Sequence, residues 1–246
     1  MRTTLKILGV KIDILDLTGA VNRVIEFTKQ DSAARPALIV TPNSEMLALA
    51  SSDQELFNIL NSAQLATADG IGVVIAARIM GQQLPERVAG FDLMQQLLAN
   101  SASGERSFYF LGSKPGVVDQ AVNNLQEHYP DLNISGYHHG YLNQENTAEV
   151  LQEINQQQPD LLLVGMGAPL QEKFLAANLS RLKVKAAFTV GGSFDVIAGQ
   201  VNRAPRWMQK AGLEWLYRLL QEPSRLGRMM ALPYFVYLVL KNRFIK

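Results

Sequence analysis

Residues 160–173 read Asp-Leu-Leu-Leu-Val-Gly-Met-Gly-Ala-Pro-Leu-Gln-Glu-Lys. The apolar run after the aspartate is typical of a strand that is buried on both faces. Two glycines and a proline then indicate a turn, and the segment beyond them has the composition of a helix. A buried strand followed by a turn and a helix is the unit from which parallel sheets are built, so this stretch predicts an α/β fold.

The same alternation continues through the first 199 residues. Predicted strands cover 37–41, 64–68, 107–111, 133–137, 160–165 and 186–190, with a strand or hairpin at 5–13. Predicted helices cover 16–29, 44–61 with a break near Ser51, 70–80, 91–100, 115–128, 147–156 and 169–182. We therefore expect an open, mostly parallel sheet with helices on both faces. Such sheets bind ligands at the carboxyl ends of their strands.

The tail, residues 200–246, differs from the core, residues 1–199, in its charge. The core carries 14 Lys and Arg against 20 Asp and Glu, whereas the tail carries nine against two. A basic tail indicates an anionic partner, such as phosphate, lipid headgroups or nucleic acid, and a solvated surface is the alternative.

The tail is also predicted to be helical. Short helices are expected at 211–220 and 224–230, separated by Pro223, and Pro233 is expected to interrupt the chain again. Residues 229–240 are apolar apart from two tyrosine hydroxyls, but a spanning helix needs about 20 residues. Basic residues flank this segment, so it fits a helix lying at a membrane surface; the alternative is a terminal helix packed on the core.

Polar side chains follow the first two strands of the predicted sheet. Thr41 and Asn43 lie where a strand gives way to a helix, and both could point into a cleft. Asp69 ends the next strand and precedes two glycines, which would let a substrate approach the backbone. Asp69 is a candidate general base, although Asp69 and Asn43 could instead cap the helices that follow them.

Further candidates follow at later turns. Arg87 could bind an anion, or could pair with Glu86 or Asp92. Gln171 and Asp195 follow the last two strands and could contact a base, a sugar or ribose hydroxyls. The turn at 111–116 resembles a phosphate-binding turn but matches no established fingerprint. Several polar strand ends on one sheet edge predict a binding cleft.

Several kinds of chemistry are disfavoured by what the sequence lacks. It has no cysteine, its three histidines do not form a metal-binding pattern, and no Gly-x-Gly-x-x-Gly follows a strand, which argues against a dinucleotide-dependent oxidoreductase. It also has no Asp-x-Asp pair to hold a metal on a diphosphate. We expect no cofactor and no metal. Charge on a leaving diphosphate would then need cations, and Arg218, Arg225 and Arg228 in the tail are candidates.

Six motifs occur in order and together resemble the WecG/TagA/CpsF family of glycosyltransferases. They are Thr-Pro-Asn-Ser-Glu (41–45), Ala-Asp-Gly-Ile-Gly (68–72), Pro-Glu-Arg-Val-Ala-Gly-Phe-Asp (85–92), Gly-Ala-Pro-Leu-Gln-Glu-Lys (167–173), Gly-Gly-Ser-Phe-Asp-Val (191–196) and Gly-Leu-Glu-Trp-Leu-Tyr-Arg-Leu with Glu-Pro-Ser-Arg (212–219 and 222–225). The resemblance runs from about residue 5 to residue 228 and is closer to the TagA branch.

The resemblance implies a Rossmann-like core and an inverting, metal-independent transfer from a UDP-sugar. It implies that Asp69 is the catalytic base and that Thr41 and Asn43 lie beside the sugar and the acceptor. The remaining residues that it assigns to substrates are Arg87, Gln171 and Asp195 in the donor pocket, and Arg218, Arg225 and Arg228 in a basic appendage that closes over the site and binds diphosphate.

The TagA branch implies transfer of N-acetylmannosamine from UDP onto N-acetylglucosamine-diphosphoundecaprenol, in wall teichoic acid synthesis. UDP-N-acetylmannosaminuronic acid or UDP-glucose as donor, in another surface polysaccharide pathway, is an alternative, as is a non-catalytic nucleotide-sugar binding protein. The first residues lack a signal peptide, so we expect a cytoplasmic protein that lies peripherally on the inner face of the cell membrane. The expected partners include no nucleic acid. Assembly into a homo-oligomer is an open alternative.

Overall fold

A computed structural model describes residues 2–30, 35–223 and 226–244. In these ranges a hairpin precedes a six-stranded parallel sheet that lies between two layers of helices, and a helical tail follows. The strands are β1 (Thr4–Ile7), β2 (Val10–Asp13), β3 (Ala37–Val40), β4 (Leu65–Ala66), β5 (Ser107–Gly112), β6 (Asn133–His138), β7 (Leu161–Gly165) and β8 (Ala186–Thr189).

The helices of the core connect these strands in the expected alternation. They are α1 (Leu17–Thr28), α2 (Ser44–Ala50), α3 (Gln54–Ser62), α4 (Ile71–Ile79), α5 (Gly90–Ala99), α6 (Val117–His128), α7 (Gln144–Gln157), α8 (Leu170–Asn178) with a 3-10 turn at Leu179–Arg181, and α9 (Ser193–Ile197). The helices of the tail are α10 (Arg206–Lys210), α11 (Glu214–Gln221), α12 (Leu226–Met229) and α13 (Ala231–Phe244).

The six-stranded sheet has the order β4-β3-β8-β7-β5-β6, and every neighbouring pair is parallel. Along the chain, β3 and β4 form one side of the sheet and β5 and β6 form the other side. Strands β7 and β8 follow and lie between these two pairs. All the carboxyl ends therefore lie on one edge. This arrangement confirms the predicted α/β fold with a Rossmann-like, open parallel sheet.

Side chains that alternate along the strands form two separate cores. In β5, Phe108 and Phe110 point to the layer of α1, α5, α6 and α9, whereas Tyr109 and Leu111 point to the layer of α2, α3, α4, α7 and α8. Both sets are fully buried. Burial on both faces explains why β3, β5, β7 and β8 read as continuous apolar runs in the sequence.

The β1–β2 hairpin closes one edge of the sheet without joining it. Leu8 and Gly9 both have positive φ angles, as a two-residue type I′ turn requires. The Asp13 carboxylate accepts the Ala66 N–H of β4 at 2.8 Å and both forks of the Arg2 guanidinium at 2.7 and 2.8 Å. Since Arg2 also donates to the Ala63 carbonyl at 2.7 Å, the hairpin is tied to the edge strand.

The predicted core elements are found with small shifts at their ends. The predicted break near Ser51 separates α2 from α3, because Asp53 caps α3 by accepting the Leu56 N–H at 3.0 Å. Helix α7 begins three residues earlier than predicted because Asn143 caps it. Strand β4 has two residues instead of the five predicted.

The tail departs from the prediction at Pro233. This residue does not interrupt the chain but is the third residue of α13. The first turn of a helix tolerates proline, because the N–H groups there have no partner inside the helix. The short helix α10 was not predicted at all.

Helix α13 packs on the core with one side and is exposed on the other. It lies against α2 and α4, and its Phe235 and Val239 are buried in the same core as these helices. The opposite side exposes large apolar residues, namely Tyr234, Val236, Tyr237, Leu240 and Phe244. Docking on the core and an exposed apolar face, treated as alternatives in the sequence, therefore occur together. None of the described helices is both long and apolar enough to cross a bilayer.

Candidate functional site

Asp69 and Thr41 meet at the carboxyl edge of the sheet, beyond β4 and β3. The Asp69 N–H donates to the Pro42 carbonyl at 3.1 Å, which joins the two strand ends. The Gly90 N–H, at the start of α5, lies 3.5 Å from Asp69 Oδ2. A Cβ on Gly90 would lie only 2.9 Å from Thr41 Oγ1, so glycine allows α5 to begin between these two side chains.

The carboxylate of Asp69 is in an electrostatic environment suited to a general base. Burial raises the pKa of Asp69 to about 6, against the lowering effects of the guanidinium groups of Arg218 and Arg87. Glu214 adds to the rise, and the Gly90 N–H opposes it. A carboxylate with this pKa is ionised at neutral pH and is more basic than an ordinary aspartate.

Three arginines converge on Glu214, which is the first residue of α11. Arg87 Nη1 lies 3.0 Å from Glu214 Oε2, while Arg203 Nε and Arg218 Nη2 lie 3.3 and 3.4 Å from Glu214 Oε1. The Glu214 side chain is only 12% exposed. Burial alone would raise the pKa of Glu214, but the three arginines hold it below its usual value. Arg87 and Arg218 are thereby brought together on one carboxylate.

Asp92 joins this charged cluster to the core. Arg203 binds Asp92 with both guanidinium forks, one of them at 2.9 Å, and its guanidinium carbon lies 4.7 Å from the centre of the Phe91 ring. Arg87 Nη2 lies 3.5 Å from Asp92 Oδ2, so one of the pairings considered for Arg87 is present. The other is absent, since the Glu86 carboxylate instead accepts the Leu17 N–H at 2.7 Å.

Asn43 acts as a helix cap in this structure. Its Oδ1 accepts the Met46 N–H at 2.9 Å, which satisfies one of the free donors at the start of α2. The capping alternative is therefore realised, and the position of Asn43 next to Thr41 and Pro42 keeps it at the same sheet edge. Its contact with substrate stays a prediction.

Gln171 is buried and its amide is used within the protein. Its oxygen accepts the Gly191 N–H at 3.0 Å, and its nitrogen donates to Glu172 Oε1 at 2.7 Å. Glu172 is fully buried, and burial raises its pKa. Gln171 thus fixes the turn after β8 against the start of α8, and its predicted contact with a donor is not tested by this geometry.

Asp195 links two loops of the same edge. Its Oδ1 accepts the Ser113 hydroxyl at 2.9 Å, which joins the turn after β5 to the first turn of α9. The turn at 111–116, singled out in the sequence, is thereby connected to the candidate donor pocket. The role of Asp195 toward ribose stays a prediction.

Two of the predicted arginines cannot be placed. Arg225 lies outside the described residues, and for Arg228 only the backbone, in α12, is described. Among the side chains that are described, no three His, Asp or Glu residues form a group that could hold a metal ion.

A family model for the WecG/TagA/CpsF glycosyl transferases matches residues 5–246, nearly the whole chain. The chain belongs to this family. As a member of the WecG/TagA/CpsF family it is an enzyme, a glycosyltransferase, and the resemblance seen in the six motifs is confirmed.

Two relatives are similar in sequence to this chain over most of their own length. A protein from Bacillus subtilis is 38% identical over 84% of this chain and 80% of its own length. A protein from Staphylococcus aureus is 34% identical over 96% of this chain and 92% of its own length. Both bear the name N-acetylglucosaminyldiphosphoundecaprenol N-acetyl-β-D-mannosaminyltransferase.

Two residues of the charged cluster were not predicted from the sequence. Arg203 was noted only as part of the tail's charge and Glu214 only as part of that charge and of the sixth motif, yet they connect the tail to Asp92 and Arg87. The one available signal was that Glu214 is one of only two acids in a strongly basic segment. The partner in the core, Asp92, lies more than 100 residues away in sequence and could not be inferred.

For a WecG/TagA/CpsF glycosyltransferase, the residues at this edge combine a proton acceptor with nearby positive charge. Asp69 can accept a proton, and Thr41 stands beside it at the sheet edge. Arg87 and Arg218 provide positive charge close to that carboxylate. Oriented cations near a developing negative charge are among the largest contributions to catalysis.

Proposed function

We propose that this WecG/TagA/CpsF glycosyltransferase moves N-acetylmannosamine from UDP-N-acetylmannosamine to N-acetylglucosamine-diphosphoundecaprenol, with inversion and without a metal ion. The observation that carries the proposal is the Asp69 carboxylate, with a pKa of about 6, beside Arg87 and Arg218. The names of the two relatives support this donor sugar and this acceptor.

In the proposed reaction, Asp69 takes the proton from an acceptor hydroxyl of N-acetylglucosamine. The oxygen of that hydroxyl forms a bond to the anomeric carbon of the donor sugar, on the face opposite UDP. The bond between that carbon and the UDP oxygen breaks, and UDP leaves with the bonding electrons. The proposed reaction is therefore a single inverting displacement, with no covalent intermediate on the enzyme.

The negative charge of the departing UDP is the second requirement of this reaction. Arg87 and Arg218 are held close together by Glu214, at 3.0 and 3.4 Å from its two carboxylate oxygens. Arginine forks suit a diphosphate, since each can donate two parallel hydrogen bonds. We propose that these arginines stabilise the leaving UDP and so take the part that a metal ion has in other sugar-nucleotide transferases.

The lipid acceptor lies in a membrane, so the enzyme must work at its surface. The exposed side of α13 offers two tyrosines and three aliphatic or aromatic residues, and Lys241 and Arg243 lie in the last turn of the same helix. Apolar side chains next to basic ones favour binding at an anionic membrane interface. We propose a cytoplasmic enzyme that lies peripherally on the inner face of the membrane through this side of α13.

The proposed reaction is tested by incubating the full chain with UDP-N-acetylmannosamine and lipid-linked N-acetylglucosamine diphosphate in detergent, with EDTA. UDP release and the mass of the disaccharide-lipid are followed, and the configuration of the new bond is determined by NMR. We expect one equivalent of UDP per disaccharide formed, with an inverted linkage.

Two variants make this test specific. Asp69→Asn should lower the rate about 10²- to 10⁴-fold, as expected for loss of a positioned base. Asp131→Asn removes an exposed aspartate beyond α6, on the opposite edge of the sheet, and should keep full activity. Product with other UDP-sugars but none with UDP-N-acetylmannosamine would refute the donor, and UDP binding without any product would indicate a binding protein.

A further inference from the structure

A second group of basic side chains surrounds a cavity between α4 and the tail. This cavity, of about 570 Å³, is walled by one side of α4, the loop before α5 and the helix α10. Its lining includes four cations, Arg78, Arg87, Arg206 and Lys210, and one acid, Glu86. None of these residues except Arg87 had been connected with a substrate.

Three of the four cations have no acidic partner in the part of the chain that the structure describes. Arg78, Arg206 and Lys210 are exposed and form no ion pair there. Arg87 differs, since it binds Asp92 and Glu214 on its other side. A concave surface with this surplus of positive charge attracts anions.

The cavity begins next to the candidate base. Ile71, which lines the cavity, is the first residue of α4 and stands two residues after Asp69. Gly212 of the tail packs so closely on Ile71 that a Cβ there would lie 2.8 Å from its side chain. Arg78 follows seven residues later on the same side of α4, about 10 Å farther along the helix axis.

The proposed reaction needs two separate places for diphosphate. The attacking and leaving oxygens of an inverting displacement lie on opposite sides of the anomeric carbon. The diphosphate of UDP and that of the lipid acceptor therefore cannot share one set of cations. The cluster around Glu214 offers one set, and the cavity around Arg78 offers another, with Arg87 between them.

Exposed apolar side chains lie next to the cations of the cavity. Ile75, one turn before Arg78, is 46% exposed, and Trp207 of α10 is 65% exposed. Helix α13, with its exposed apolar side, packs against the same helix α4. Exposed apolar side chains on α4 and α10 therefore adjoin the cations of the cavity. In a lipid-linked sugar, hydrocarbon likewise adjoins the diphosphate.

We propose that this cavity binds the diphosphate of the lipid-linked acceptor, through Arg78, Arg206 and Lys210. The identity of the acceptor rests on the proposed function, whereas binding of an isoprenoid diphosphate can be measured without turnover. Two test variants remove the same number of charges from different places. The first is Arg78→Ala with Arg206→Ala and Lys210→Ala, and the second is Lys29→Ala with Arg181→Ala and Lys183→Ala, from the opposite edge of the sheet.

Kinetics separate the acceptor from the donor. The cavity variant should raise the KM for the lipid acceptor about 10- to 100-fold, because charge-assisted hydrogen bonds are lost. Its KM for the UDP-sugar, and its kcat at saturating acceptor, should stay within about twofold of the unchanged protein. The control variant should change none of these values. Since all six residues are exposed, both variants should unfold at the temperature of the unchanged protein.

Binding measurements decide the same question without turnover. Farnesyl diphosphate should bind the unchanged protein and the control variant, and should bind the cavity variant at least tenfold more weakly, while UDP binds all three alike. Loss of UDP binding would assign the cavity to the donor and overturn the proposal. The proposal would also be overturned if the cavity variant lost binding to phosphatidylglycerol vesicles but still bound farnesyl diphosphate. It would be overturned as well if the cavity variant matched the unchanged protein in every one of these measurements. If no UDP-sugar is ever transferred, the proposed function fails, and farnesyl diphosphate binding still decides the cavity.

Discussion

At the scale of single residues, two opposed influences determine the pKa of Asp69. Burial disfavours its charge, while Arg87 and Arg218 favour it, and the pKa of about 6 is the balance. Glu214 holds both arginines near this carboxylate and also repels its charge. The basicity of Asp69 therefore depends on residues of the tail as well as on the core.

The pH dependence of transfer should report this balance. A general base must be deprotonated, so kcat/KM should rise with pH, with a midpoint near 6, and level off above pH 7. Arg218→Gln removes a cation that lowers the pKa, so it should move the midpoint up; Glu214→Gln should move it down. Rates measured between pH 4.5 and 8.5 test both directions, and a profile that is flat over this range would contradict Asp69 as the base.

The raised pKa also has a cost in folding stability. Because the pKa of Asp69 is about 6 in the folded chain and near 3.8 without its surroundings, the ionised group destabilises the fold by up to about 3 kcal/mol above pH 6. Asp69→Asn should therefore raise the unfolding free energy at pH 8, and the gain should shrink between pH 6 and 4 and vanish below it. Urea unfolding at pH 8 and pH 4 measures this, and an equal gain at both values would refute it.

Residues at the ends of strands were predictable, and the contacts between distant side chains were not. Asp69 and Thr41 were identified because a polar residue after an apolar strand must lie at the carboxyl edge of a parallel sheet. The hydrogen bonds of Gln171 to Gly191 and Glu172 depend on how α8 meets β8, which no local pattern encodes. The pairing of Arg203 with Asp92 is of the same kind.

At the scale of elements, charged contacts attach the first part of the tail to the core, in addition to the apolar packing of α13. Arg203 binds Asp92 on α5 with both forks and also reaches Glu214 on α11, and its side chain is only 16% exposed. Helices α10 and α11 follow directly. Arg203 therefore helps to place α11 on the core, together with Arg87, which contacts the same two carboxylates.

Replacement of Arg203 should loosen that attachment. Arg203→Ala removes one of the two arginines that contact both Asp92 and Glu214, which should cost about 1–3 kcal/mol of stability and lower transfer. Chymotrypsin should then cut faster at Trp207, Trp215 and Tyr217. Arg203→Lys keeps the positive charge but cannot donate two parallel hydrogen bonds, so it should retain only part of the stability and the transfer activity. Unchanged cleavage and activity in Arg203→Ala would show that the tail is held by other contacts.

The sequence predicted elements well where their hydrophobic period was clear and less well in the tail. Strands β3, β5, β7 and β8 were found because continuous apolar runs of four to six residues fit only buried strands or short buried helices. Pro233 was misread because a proline breaks a helix in its interior but is accepted in its first turn, and the start of α13 could not be located from composition.

At the scale of the whole molecule, the two sides of α13 should differ in what they contribute. Phe235→Ala and Val239→Ala each leave a cavity in the core and should cost about 1–5 kcal/mol of stability. Tyr237→Ser with Leu240→Ser, on the exposed side, should leave stability unchanged and weaken sedimentation with anionic vesicles at least tenfold. Equal vesicle binding by the Ser variant and the unchanged protein would exclude this side of α13 as the membrane contact.

The order of the sheet also determines when the protein can fold during synthesis. Strand β8 is the last strand made but lies in the centre, between β3 and β7. Until residue 189 leaves the ribosome, the β4-β3 pair and the β7-β5-β6 group are two half-sheets with nothing to join them, each presenting an open inner edge. Such edges associate readily with other chains. We therefore expect a stalled or prematurely ended chain of this protein to be a substrate for chaperones rather than a smaller enzyme, because the sheet is completed only when the last quarter of the chain is translated.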